Sequence, residues 1–183
     1  MQLLKQSKVA WTITLALIIV SSSLGASLSL NHLREDAAAT FIHGISKSEP
    51  GVQYDLDWLV ELSTNLIVVA SRYIDDEDME LVAVREAKSK LEAATSPKTK
   101  YDAADRLVSQ STALIYRLGQ MELETRDAHY NKTIKADIES RWLILGRNNY
   151  NQVASEFNDV LKQFPASMFS KLMSVKPLEL FTQ

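Results

Sequence analysis

Residues 81–118 read LVAVREAKSKLEAATSPKTKYDAADRLVSQSTALIYRL, and this stretch decides the fold. Leu81, Val84, Ala87, Leu91 and Ala94 recur at steps of three and four, the period that lines one face of an α-helix. Ser96-Pro97 then starts a second helix. A serine hydroxyl accepts from a free N–H of the first turn, and proline in the first helical position loses no hydrogen bond. The new helix carries Tyr101, Ala104, Leu107 or Val108, Ser111, Leu114 and Leu118, with Gly119 as its stop.

The same period continues outward. Upstream, Leu56, Leu59, Ser63, Leu66, Ala70 and Tyr73 form a stripe that ends at the acidic cluster Asp75 to Asp78. Such a cluster suits a helix start, where carboxylates meet free N–H groups and the positive dipole end. Earlier still, Leu33, Ala37, Phe41 and Ile45 belong to a first helix that breaks around Ser46 to Gly51, most clearly at Pro50-Gly51. Downstream, the pattern predicts one long helix from about Thr125–Asp127 to Gln163. Its apolar face is Ile134, Ile138, Trp142, Leu145, Tyr150, Val153, Phe157, Val160 and Phe164, and Pro165 ends it. In the tail 166–183, Met168, Phe169, Leu172 and Met173 are expected to pack back as a short helical turn. Amphipathic helices on short connections predict an all-α fold, an antiparallel bundle of four to five helices, with a transmembrane helix at the N-terminus. The expected layout is a short tail 1–8, a transmembrane signal anchor 9–30, a bundle 31–165 and an amphipathic tail 166–183.

Composition removes many functions. The chain has 183 residues, 23 acidic and 20 basic side chains, a net charge of −3, five glycines and no cysteine. Without cysteine there is no disulfide, thiolate metal site or thiol nucleophile. An acidic body with no basic run disfavours nucleic acid. No glycine cluster cradles a phosphate. Asp75 to Glu80 lacks the central glycine of a calcium loop. His32 and His43 share a helical face, but there is no His-x-x-x-His pair, so no metal and no cofactor are expected. The serines lack a nucleophile elbow, and the expectation is a non-enzyme.

Residues 9–33 carry no charge, and VAWTITLALIIVSSSLGASLSL, residues 9–30, is mostly apolar. As a helix it spans roughly 33 Å, about a bilayer's hydrocarbon core. A signal peptide cut after Gly25 is the competing reading, and it would give a secreted bundle. Leu24, Leu28 and Leu30 extend the apolar run past that cut and favour the anchor. Lys5 and Lys8 on one side, against Arg34, Glu35 and Asp36 on the other, favour a cytoplasmic N-terminus and an extracytoplasmic body.

One motif invites explanation. Tyr150-Asn151-x-Val153 repeats seven residues on as Phe157-Asn158-x-Val160, followed by Phe164-Pro165. Heptad spacing keeps the aromatics on one seam, with Asn151 and Asn158 beside it. The two asparagines either form a polar ladder that recognises a partner helix, or bond across the bundle or face water.

At these residues the chain resembles the LemA family. The signature is RNNYNQV at 147–153, then Phe157-Asn158, Phe164-Pro165, Lys176-Pro177 and Phe181. A weaker match runs from Glu61 through Asn65 and Leu66 to Tyr73, and similarity covers most of residues 20–183. Thr64 stands where that family has proline, which should remove a kink or helix start, and Leu59-Val60 replace its basic pair. The segment Ser46 to Tyr54 looks like an insertion. The resemblance implies a bacterial protein of the cell envelope, with one N-terminal membrane helix and a helical-bundle body. It implies no reaction. It singles out Asn65, Leu66, Tyr73, Tyr150, Asn151, Phe157, Asn158, Phe164 and Pro165 as structural or interaction residues. The expected partners are the membrane, other membrane or envelope proteins, and a second copy in a homo-oligomer. The rival expectation is a small-ligand-binding or sensing bundle, in which Asn65, Ser63 and Ser111 would meet around a cavity.

Overall fold

The computed structural model describes residues 7–46 and 49–182, without the side chains of 7–10, 16, 19, 20, 23 and 24. Seven helices are present among the described residues: α1 (Ser7–His43), α2 (Val52–Ala70), α3 (Met79–Ala93), α4 (Pro97–Leu118), α5 (Thr125–Gly146), α6 (Tyr150–Lys162) and α7 (Ala166–Leu172). An isolated bridge between Ser46 and Glu49 is the only β pairing among them. The all-helical expectation holds. The long final helix does not: the chain breaks at Gly146 to Asn149, where the Oδ1 of Asn148 accepts from the Tyr150 N–H and starts α6 afresh.

The chain divides into two compact units, Met1–Ala38 with Ala154–Leu178 and Ala39–Val153 with Glu179–Gln183. The second contains α2 to α5 as a four-helix bundle. Helix α2 packs on α3, α4 and α5, and α4 packs on α3 and α5. The stripes read from the sequence are its core: Leu56, Leu59 and Leu66, then Leu81, Val84, Ala87 and Leu91, then Ala104, Leu107, Leu114 and Leu118 are all buried. Asp78 caps α3 by accepting from the Glu80 N–H. Ser96 and Thr99 form a reciprocal capping box ahead of Pro97. Helix α2 runs unbroken through Thr64, whose hydroxyl donates to the Val60 carbonyl at 2.8 Å.

Polar contacts give the direction of each neighbour. At the start of α3, Asp78 and Glu80 accept from Arg117 at the end of α4, at 2.8 and 3.2 Å. The Nδ2 of Asn131, early in α5, donates to the Ile115 carbonyl, late in α4. Asp55, at the start of α2, accepts from Arg141 near the end of α5 at 2.8 Å. Arg72, just past the end of α2, donates to Asp127 in the first turn of α5 at 2.6 and 2.9 Å. Each of these pairs is antiparallel, so the bundle runs up and down. Before α2 the chain turns tightly. Gly44 has a φ of +72°, and a Cβ there would lie 1.9 Å from the Glu49 carbonyl oxygen.

The first unit holds most of α1, most of α6, α7 and part of the tail. Leu30 and Ala37, then Ala154, Phe157 and Leu161, then Val175 and Leu178 are its buried apolar residues. The tail packs back through Val175 and Leu178; of the four residues expected to do so, Phe169 and Met173 are half-buried and Met168 and Leu172 are exposed. Local amphipathicity marked α7 as a helix with an apolar face, and only part of that face turns inward. Among the described residues no helix is long and apolar enough to cross a membrane. The run 9–30 is helical throughout, and several of its side chains lie outside the description.

Asp127 is 1% exposed and carries contacts from Arg72, Tyr73 and Arg126. The Arg72 guanidinium lowers its pKa, burial opposes that, and the Tyr73 hydroxyl lowers it again, for a net value below the ordinary carboxylate range. A depressed folded-state pKa contributes stability that is complete above the unfolded value of about 3.9 and is lost as pH falls through the folded value. Asp127→Asn should therefore lower the urea midpoint at pH 7, and the gap to wild type should shrink as pH drops below about 4. A gap that stays constant from neutral to acid pH would remove the ion pair from this account.

Candidate functional site

The α2–α5 seam is pinned at its two ends by the pairs Asp55–Arg141 and Arg72–Asp127. Between them it opens into a groove of about 490 Å³. Leu62, Val69 and Ile134 are buried along it, Trp58 is half-buried, and Val68 and Tyr130 are exposed. Glu61, Asn65, Thr133 and Asp137 add polar groups of both kinds. Apolar surface edged by mixed polar groups recognises a shape, whether helix or peptide. Arg72 is already committed to Asp127, and none of the three histidines lines the groove. Among the described residues no group of three metal-ligating side chains comes together.

The motif residues separate into three places. Asn65 lines the groove, Leu66 beside it is fully buried, and Tyr73 donates to Asp127 at 2.9 Å while accepting from the Glu124 N–H at 3.1 Å. Ser63 and Ser111 meet in the bundle interior at 3.3 Å and satisfy each other, apart from Asn65.

The heptad asparagines bind the protein's own C-terminal tail. In the first unit, Asn158 donates to the Leu178 carbonyl at 2.9 Å and accepts from the Leu178 N–H at 2.8 Å. In the second, Asn151 donates to the Phe181 carbonyl at 2.8 Å and accepts from the Phe181 N–H at 2.7 Å. A side-chain amide has the donor and acceptor of a peptide group, so each pair replaces a missing sheet neighbour for a tail that is neither helix nor strand. Tyr150 adds a bond from its hydroxyl to the Glu179 carbonyl at 2.7 Å. In the second unit the Phe181 ring lies edge-on to Phe41 and Tyr101, at 5.9 and 5.2 Å between centroids. Both amides hold the chain's own tail, an arrangement that neither reading of the ladder contains.

Phe157 is buried as expected, whereas Phe164 is 83% exposed and Pro165 leads into α7. The apolar face ends early because α6 stops at Lys162. Sequence reasoning missed Asp55. It sits between Val52 and Leu59 on the buried face of α2, so a carboxylate interrupting the apolar stripe was the available signal.

An all-helical chain with a four-helix body, a long N-terminal helix and a tail clamped by asparagine amides defines the class. Residues 49–183 match the LemA family, and the chain belongs to it. The match begins later than the motifs suggested and leaves the apolar run outside. No curated protein and no solved structure matches the chain.

Losing one clamp removes two hydrogen bonds and exposes their backbone partners, a cost of about 1–3 kcal/mol. In Asn151→Ala with Asn158→Ala, hydrogen exchange at the Leu178 and Phe181 amides should accelerate at least about tenfold while helical circular dichroism is retained. Unchanged exchange at both amides would show that the tail is held by its side chains alone.

Proposed function

We propose that this chain is a single-pass, membrane-tethered scaffold without catalytic activity, anchored by the apolar run of α1. The observation that carries this reading is the distribution of that run. Trp11, Ile13, Leu15, Leu17 and Ile18 are 43–73% exposed and point around the helix instead of along one stripe. Such a surface suits hydrocarbon and is costly in water. Helix α7 adds to it. Phe164, just before it, and Met168 and Leu172 within it are exposed, and Met168 and Leu172 share a groove with Ile18 and Ser22 of α1. Exposed apolar side chains beside α1 suit the boundary between headgroups and acyl chains.

The charge bias keeps the N-terminus in the cytoplasm and the body outside. Tethering raises the effective concentration of the α2–α5 groove for other envelope proteins. A helix or peptide that covers Trp58, Val68 and Tyr130 is the occupant this surface suits, a second copy included.

Protease treatment of protoplasts should remove a C-terminal tag while the protein stays in the washed membrane fraction. Full protection of the tag would invert the topology. Leu15→Arg with Ile18→Arg adds about 2.5–3.5 kcal/mol per residue to insertion at the helix centre and should shift the protein out of that fraction. A double-arginine variant that remains in the membranes would overturn the anchor.

A further inference from the structure

Beyond the scaffold reading, and independent of the membrane anchor, a second opening lies where the α1–α2 turn meets the α5–α6 turn. This pocket of about 270 Å³ is lined by Ile45, Pro50, Ile144, Glu49, Arg147 and Asp55, among others. Asp55 is the unusual member. It is 1% exposed, its Oδ1 accepts from Arg141, and its Oδ2 is buried with no hydrogen-bond partner. A buried carboxylate oxygen left without a donor costs free energy of the same order as a lost charged hydrogen bond.

The reason Arg141 serves only one oxygen is visible. Its guanidinium lies 4.9 Å from the Trp58 ring centre and 5.8 Å from that of Tyr54, and those two rings stack. Held by two aromatic faces, it reaches Asp55 through a single nitrogen. The two asparagines of the pocket are engaged. Asn148 donates to the Pro50 carbonyl at 3.3 Å, and Asn149 donates to the Glu49 carboxylate at 3.0 Å. Neither amide turns its N–H to Asp55.

We propose that this pocket binds a primary organic ammonium, with the free Oδ2 of Asp55 accepting from its N–H group and its short aliphatic body against Ile45, Pro50 and Ile144. An ammonium supplies the charge-assisted donor that the carboxylate lacks. A metal ion would need several oxygen ligands, whereas the wall holds two carboxylates, Asp55 and Glu49, and Glu49 already accepts from Asn149. Arg147 among the lining residues could meet an acidic group on the same molecule, so an amino acid belongs to the same ligand class.

The test is an NMR titration of the full-length chain in detergent with n-butylammonium chloride, following the Gly44 and Gly51 amides and the Arg141 side chain. Saturable shifts are expected at millimolar ligand, with n-butanol at least about tenfold weaker. Asp55→Asn, which keeps an acceptor for Arg141, should weaken the ammonium at least about tenfold without weakening butanol. Ile144→Trp, on a half-open wall, should block both. Equal binding of butanol and butylammonium would reduce the site to an apolar hollow. No saturation up to about 50 mM would leave the oxygen to water, and equal shifts with calcium chloride would make it a metal site. Each of these outcomes overturns the proposal. If Asp55→Asn fails to fold, the wild-type comparison and Ile144→Trp decide alone.

Discussion

Two aspartates with almost no access to water, Asp55 and Asp127, constrain how α2 can pack on α5. A carboxylate taken out of water must be paired, and each of these is paired across the same seam. Helix α2 begins with an acid and is followed by a base, Asp55 and Arg72; on α5 the acid comes first again, Asp127, and the base last, Arg141. Antiparallel packing joins opposite charges at both ends. Parallel packing would set acid against acid and base against base, so the alternative is penalised as well as the native arrangement stabilised. The spacing agrees: seventeen residues on one segment and fourteen on the other rise about 25 and 21 Å. Apolar stripes do not distinguish one helix direction from the other as sharply as these two pairs do.

The tail meets a different constraint, because an extended segment outside any sheet has backbone groups that nothing local satisfies. Here α6 satisfies them with asparagine. The buried tail residues Val175, Leu178 and Phe181 fall three residues apart, and Leu178 and Phe181 are the two whose backbone the amides hold. The polar and apolar patterns of the tail therefore share one period. This explains why middling helix formers occupy the edge of the α6 seam.

Most of the bundle was legible in the sequence because helix period, capping and proline placement all agreed between Leu56 and Gly119. The break at Gly146 was not, since the apolar spacing continues across it and one glycine is a weak stop; the deciding contact is the Asn148 side chain on the Tyr150 N–H. Nor could the sequence say what the asparagines hold, because an amide matches any backbone group that comes within reach. The α7 face was read as inward-facing for a related reason: amphipathicity shows that a face is apolar, not what covers it. A stripe that begins at Leu56 leaves Asp55 off the buried face. Starting at Val52 puts a carboxylate inside the apolar face, where it has to find a partner.

The two ends of the seam differ in a way that bears on function. Asp127 is saturated by Arg72, Tyr73 and Arg126, and that end acts as a fastener. Asp55 has one engaged oxygen and one free, because Arg141 divides its contacts between the carboxylate and the rings of Trp58 and Tyr54. Trp58 is also a wall of the α2–α5 groove, and Asp55 a wall of the pocket at the turns. One guanidinium thus touches a residue of each opening. The incomplete ion pair lies between the two openings, whereas the complete pair at the far end, closed by three partners, ties α2 to α5.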